Sequence, residues 1–271
     1  MSESQPLAII PARVGSKGVP NKNFRLLPDG HSLTWRAVEC AKASGCGVVV
    51  STDGVTQTGG RRMEMMATRE AIDAVAFARP AALAQDDTPM IDVVRHVLEH
   101  IPGPPDQTIV LLQPTSPFRT VQHVQTALEL LVEPWTSVVS VVEVPEVYRP
   151  DLVCEIDDDA WAGDLQPWGA RLEYGPWWDA VARRQDARPA YRRDGTVYVF
   201  RRDNVSWNHT IYGTRTRPYI LPASESFTID TLEDWDEAER RVYAEVRDRD
   251  NVYERKDYGG TFTIGPDGRI R

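Results

Sequence analysis

The chain has 271 residues, 41% hydrophobic and 26% charged, ordinary globular proportions that exclude a disordered, collagenous or coiled-coil chain and suit one large domain with a smaller appendage. Its 40 acidic against 31 basic residues leave a net charge of −9, which argues against non-specific nucleic-acid binding while leaving room for a local basic pocket. Three cysteines without a CxxC pair support neither a disulfide framework nor a zinc knuckle, and no run approaches the roughly 18 apolar residues of a membrane span, so a cytoplasmic protein without nucleic-acid or membrane partners is expected.

The opening MSESQPLAII lacks the basic region and long apolar run of a signal peptide. From there to residue 145 the sequence alternates between strand-like and helix-like segments. Short apolar runs at 7–11, 47–51, 74–78, 108–113 and 137–144 predict strands buried on both faces of a mostly parallel sheet. Helical spacing predicts helices over 32–44, 60–69, 91–100 and 121–131. This is an α/β pattern, and in open parallel sheets ligands bind beyond the carboxyl ends of the strands, so the loops after Pro11, Ser51 and Gln113 form the expected working face. Residues 145–190 are rich in Pro, Trp, Asp and Arg and break the alternation, which marks an insertion. Regular structure resumes at TVYVF (196–200), continues through RPYILPA and reaches a predicted helix over 232–246. Thr231 is the expected N-cap, with Asp234 where a capping box would place Glu. The domain is therefore read as 1–245, with 246–271 as a tail that turns around Pro266-Asp-Gly268 or frays.

The loop after the first strand, IIPARVGSKGVPNKN (9–23), carries the most chemistry. Gly15 and Gly18 let backbone N–H groups face an anion, and Arg13, Lys17 and Lys22 can neutralise a triphosphate and the charge that grows on its leaving group. Neither GxxxxGK[ST] nor GxGxxG is present. Composition alone leaves a plain basic surface loop as the alternative.

That loop resembles the opening signature of the acylneuraminate cytidylyltransferase family, ARxxSKGxPxKN, which reads ARVGSKGVPNKN here. Further similar segments follow in order: VVVSTDG (48–54), ARPAALAQDDTPMIDVVRHVL (78–98), LLQPTSPFR (111–119), SVVSVVEV (137–144), RRQDARPAYRRDGTVYVF (183–200) and FTIDTLEDWDEAE (227–239). The resemblance spans about residues 7–245 and leaves 150–182 and the tail uncovered. It implies a Rossmann-like sheet of nucleotidyltransferase type with a dimerising insertion, hence a homodimer. It further implies an enzyme that joins CMP from CTP to an acidic sugar with Mg²⁺ and releases pyrophosphate.

The site residues carried over are these. Arg13, Lys17 and Lys22 would act on the phosphates, Lys17 stabilising the transition state and the other two holding pyrophosphate. Ala12, Gly15, Ser16, Asn23, Arg79 and Asp86 would contact the nucleotide. Gln113, Arg184, Arg192 and Asp194 would face the acceptor, Arg184 receiving the sugar carboxylate as a planar guanidinium can. Asp230 would carry Mg²⁺, which favours one or two carboxylates plus phosphate oxygens and water.

Three positions depart from the family pattern. Thr228 replaces one of two acids, Asp194 replaces an amide, and Met90 replaces a small hydroxylic residue. They keep two other readings open: a cytidylyltransferase with an atypical acceptor, and a nucleotide-binding paralogue without catalysis. Elsewhere plainer readings prevail. Trp161, Trp168, Trp177 and Trp178 read as packing or subunit contacts rather than base-stacking platforms. His96 and His100 read as an exposed helix face without a third metal ligand, Asp157–Asp159 as a solvated turn, and Cys40 and Cys46 as small core residues. The absence of GxSxG removes support for serine hydrolysis.

Overall fold

The computed structural model describes residues 5–55, 63–64, 71–72, 74–149, 154–157, 164–167 and 189–257. Strand β1 (Leu7–Pro11) is buried along its whole length, and helix α1 (Leu33–Ala43) follows. Ser32 caps α1, its Oγ accepting from the Trp35 N–H at 3.1 Å. Next come β2 (Gly47–Thr52), the short β3 (Met63–Glu64) and β4 (Ala71–Ile72), β5 (Val75–Ala78), α2 (Met90–His100), β6 (Thr108–Leu111), α3 (Val121–Leu130) and β7 (Ser137–Glu143). The chain then gives β8 (Cys154–Asp157), β9 (Asp164–Pro167), β10 (Tyr191–Arg201), α4 (Arg202–Trp207), β11 (Thr216–Leu221) and α5 (Leu232–Asp257).

Seven strands form one sheet in the order β11-β7-β10-β6-β1-β2-β5. Within it β10 runs antiparallel to β6 and β7, and the other pairings are parallel. This is the expected Rossmann-like, mostly parallel α/β sheet flanked by helices. Alternation along β1 divides the core. Ala8 and Ile10 join Val38 of α1, Val124 of α3 and Val110 on one face, while Leu7 and Ile9 join Val94 and Val97 of α2, Phe77 and Phe200 on the other. Cys40 and Cys46 are buried, free thiols, and burial raises both, Cys46 to about 11. A third cluster lies at the edge, where Val19, Leu27 and Leu33 pack on Ile229, Trp235, Ala238 and Val242. It fastens the β1–α1 loop to α5.

Two segments differ from the sequence reading, residues 60–69 and the end of α5. The helix predicted over 60–69 is replaced, where described, by extended backbone: Met63 pairs with Ile72 and Glu64 with Ala71 in an antiparallel ribbon apart from the main sheet. Helix-forming composition is a weak prior there, and cross-strand pairing overrides it. In the insertion, β8 and β9 pair with each other as a second ribbon. Helix α5 continues past Val246 to Asp257, so the tail's start is helical. Ion pairs such as Arg241 to Glu237 at 2.8 Å support its exposed face. The turn expected at 266–268 and the four tryptophans of 161–178 lie outside the described residues.

The N-cap of α5 forms as expected. Asp234 N–H donates to Thr231 Oγ1 at 3.2 Å, and the Thr231 and Asp230 N–H groups each donate to Asp234 Oδ2 at 2.9 Å. Those backbone donors hold the Asp234 carboxyl below its ordinary range. A depressed carboxyl contributes stability above its unfolded pKa and loses it as pH falls through the folded one. Asp234→Ala should therefore cost about 1 kcal/mol at pH 7, with the gap to the parent closing below roughly pH 4, as read by urea unfolding across pH. Trp235 is fully buried, and Trp235→Ala should cost about 3–5 kcal/mol in the same assay.

Candidate active site

A cleft of about 270 Å³ opens beyond the carboxyl ends of β1, β5 and β6. Its walls include Arg13, Ser16, Lys17, Gly18, Lys22 and Asn23 from the β1–α1 loop, Arg79 from the end of β5, and Gln113 from the end of β6. Pro11, Met90, Pro114 and Thr115 complete the lining. Four cations thus converge on one concave surface of an acidic chain.

Each cation is placed differently. Lys22 reaches across the loop: its Nζ donates to the Ile229 carbonyl at 2.6 Å and lies 3.4 Å from Asp230 Oδ1. Arg79 is 7% exposed, and its guanidinium donates to Ser51 Oγ at 3.1 Å and to the Ser51 carbonyl at 2.6 Å. Burial, opposed by Asp53 and reinforced by Arg13, pulls its pKa down to about 10, which still leaves it cationic at neutral pH. Lys17 extends into solvent with its side chain 86% exposed. Arg13 and Lys17 both contact Asp86, whose carboxyl is held below its usual range by hydrogen bonds first from Lys17 and then from Arg13.

The loop is braced from beneath. Asn23 is buried, and its side-chain amide donates to the Arg13 carbonyl at 2.9 Å, while its own carbonyl accepts from Thr34 N–H and Oγ1. Among the described residues its Oδ1 finds no hydrogen-bond partner. Asp53 accepts the Val14 N–H at 2.8 Å. Ala12 is wholly buried, and its N–H donates to the Ser51 carbonyl. The two glycines are unequal. A Cβ on Gly18 would overlap the Asp230 carbonyl oxygen, whereas one on Gly15 would meet nothing within 4 Å.

At the β6 end of the cleft, Gln113 forms part of the wall, and its backbone carbonyl is held by the Arg119 guanidinium at 2.6 Å. Arg119 also donates to the Thr196 carbonyl, and burial lowers its pKa to about 10. Gly195 sits against Gln113 with φ of +83°, a conformation that suits glycine. Asp194 does not line the cleft. It is 3% exposed, and its carboxylate turns inward to Ser140 Oγ, Thr196 Oγ1 and the Thr196 N–H. Thr228 donates to the Asp194 carbonyl at 2.9 Å, so two of the three departures meet in one internal contact. Arg192 is exposed on β10 opposite Val142, away from the lining set. Arg184 lies outside the described residues.

Sequence reasoning assigned no role to Arg119 or Asp53. Arg119 closes the quoted LLQPTSPFR segment, so a cation directly after a Pro-bounded turn was the available signal. Asp53 carries none.

A family model described as cytidylyltransferase matches residues 7–256. The N-acylneuraminate cytidylyltransferase of Streptococcus agalactiae serotype V is 27% identical over 266 residues, 95% of this chain and 59% of that protein. The chain thus spans about three-fifths of the length of that curated relative. The CMP-N,N'-diacetyllegionaminic acid synthase of Legionella pneumophila subsp. pneumophila is 31% identical over 234 residues, 84% of this chain and 92% of that one. Among solved structures, a CMP:2-keto-3-deoxy-manno-octonic acid synthetase complexed with CTP aligns with a TM-score of 0.58 and 18% identity, covering 89% of this chain and 100% of the other, a likeness of fold.

The unequal glycines generate a test. Gly18→Ala should push the loop off Asp230 and weaken tripolyphosphate binding at least tenfold by calorimetry, while Gly15→Ala should stay within about twofold.

Proposed function

The chain belongs to the cytidylyltransferase family, and from that membership we propose that it transfers CMP from CTP to an acidic sugar, a nonulosonic acid or a related acceptor, and releases pyrophosphate. The observation that carries the reading is the convergence of Arg13, Lys17, Lys22 and Arg79 on one cleft beyond the parallel strands, a concentration of positive charge with no counterpart in the chain's net balance of −9. An acceptor hydroxyl attacks the α-phosphorus. The bond to the β-phosphate oxygen breaks, and the hydroxyl proton passes to solvent. Lys17, exposed at the cleft, is the residue for charge that grows during transfer. Arg13 and Lys22 hold the departing pyrophosphate. Arg79, fixed by Ser51, supplies a rigid charge at the cleft wall. Gln113 faces the acceptor, its backbone set by Arg119.

Mg²⁺ fits this donor set as a partner of phosphate rather than as a caged ion. Among the described residues no group of three or more His, Cys, Asp or Glu gathers to hold a metal. Asp230, 72% exposed beside Lys22, offers one carboxylate, which suffices when phosphate oxygens and water complete the shell. Bound there, Mg²⁺ would neutralise phosphate charge. Thr228 is committed to the Asp194 carbonyl, so it replaces the second acid without standing in for it.

The inward turn of Asp194 supports an acidic acceptor, because its carboxylate is not offered to the cleft. Two departures from the family pattern, Thr228 and Asp194, motivate a second reading, nucleotide binding without turnover. Pyrophosphate release from CTP and Mg²⁺, measured across nonulosonic acids and Kdo, separates the two. Release with at least one acceptor is expected. CTP bound but unchanged with every acceptor would favour the second reading. Lys17→Ala should lower release about 100-fold or more, and an undiminished rate in that variant would remove Lys17 from the chemistry.

A further inference from the structure

Arg13 and Lys17 are matched to a polyphosphate, yet they are already joined by a carboxylate. Arg13 Nη2 lies 2.5 Å from Asp86 Oδ1, and Lys17 Nζ lies 2.5 Å from Asp86 Oδ2. One oxygen serves each cation, as two oxygens of a bound phosphate would. Asp86 belongs to the stretch before α2, a segment separate from the β1–α1 loop, so the contact ties two cleft-lining cations to a neighbouring segment. The other two cations differ. Arg79 is held by a hydroxyl and a carbonyl, and Lys22 principally by a carbonyl, and these neutral partners do not repel an arriving anion.

An incoming phosphate that engages the same two cations competes with the Asp86 carboxylate for them. The carboxylate then stands beside several negative charges. We propose that Asp86 is an internal competitor for the polyphosphate, which pairs with Arg13 and Lys17 in the free enzyme and retakes them as pyrophosphate leaves. This rests on the transferase reading above and revises the expected role of Asp86 from nucleotide contact to antagonist. Product release is hastened at the expense of affinity. Exposed ion pairs are individually weak, so two of them acting together set an effect of severalfold rather than of orders of magnitude.

The test is calorimetric titration of pyrophosphate in metal-free buffer, and of CTP, into the parent enzyme, Asp86→Asn, Lys17→Ala and the double variant. Asp86→Asn should bind pyrophosphate about three- to tenfold more tightly and release it more slowly in stopped flow. The gain should shrink in the Lys17→Ala background, because one of the two competed cations is gone. Unchanged or weaker binding by Asp86→Asn, with the parent binding normally, overturns the competitor role and leaves the site reading intact. A parent enzyme that binds neither pyrophosphate nor CTP overturns the site reading itself. Asp86 is exposed, so its replacement should leave the melting temperature in place, which the same samples verify.

Discussion

The β1–α1 loop and the start of α5 are held against each other, and the cleft depends on that contact. Gly18 lies so close to the Asp230 carbonyl that no Cβ fits between them. Val19 drops into the cluster formed by Ile229 and Trp235, and Lys22 spans the seam to the Ile229 carbonyl at 2.6 Å. Apolar burial supplies the adhesion, and the lysine hydrogen bond fixes the register. Segments more than 200 positions apart in sequence thereby present cationic groups and one carboxylate to the same space.

The basic groups fall into two physical kinds. Arg79 and Arg119 are buried, desolvated and tied to backbone carbonyls, so they act as fixed parts of the scaffold. Lys17, and to a lesser degree Arg13, reach toward solvent and pair with a group that can move aside. A site of this kind combines a stationary field with adjustable charges. In the proposed transfer the first would orient the anion before reaction, and the second would follow charge as it shifts.

Much of this architecture is legible in the residues. Uninterrupted apolar runs such as LAIIP and GVVV have no polar face to expose and must lie inside a sheet covered on both sides. The loop's cations were equally visible, because charge directly after a buried strand has few structural uses. Through-space pairing was not visible. Nothing local to Asp86 announces Arg13 and Lys17, and nothing local to Asp194 announces that its carboxylate turns back on Ser140 and Thr196 rather than outward. The same limit explains residues 63–64 and 71–72, where a cross-strand partner decides between helix and ribbon.

The antiparallel run of β10 has a topological consequence. Because it reverses direction, Tyr191 at its start lies opposite Glu143 at the end of β7, and Val144 N–H closes onto the Ala190 carbonyl at 2.8 Å. The chain therefore leaves the sheet after 143 and rejoins it at 190 through a hydrogen-bonded neck, at the end of the sheet that also carries the cleft. Loop closure costs rise only slowly with length. Evolution can lengthen, shorten or rewrite that excursion while the sheet beneath keeps its pairing, so the rim can diversify on a scaffold that stays the same.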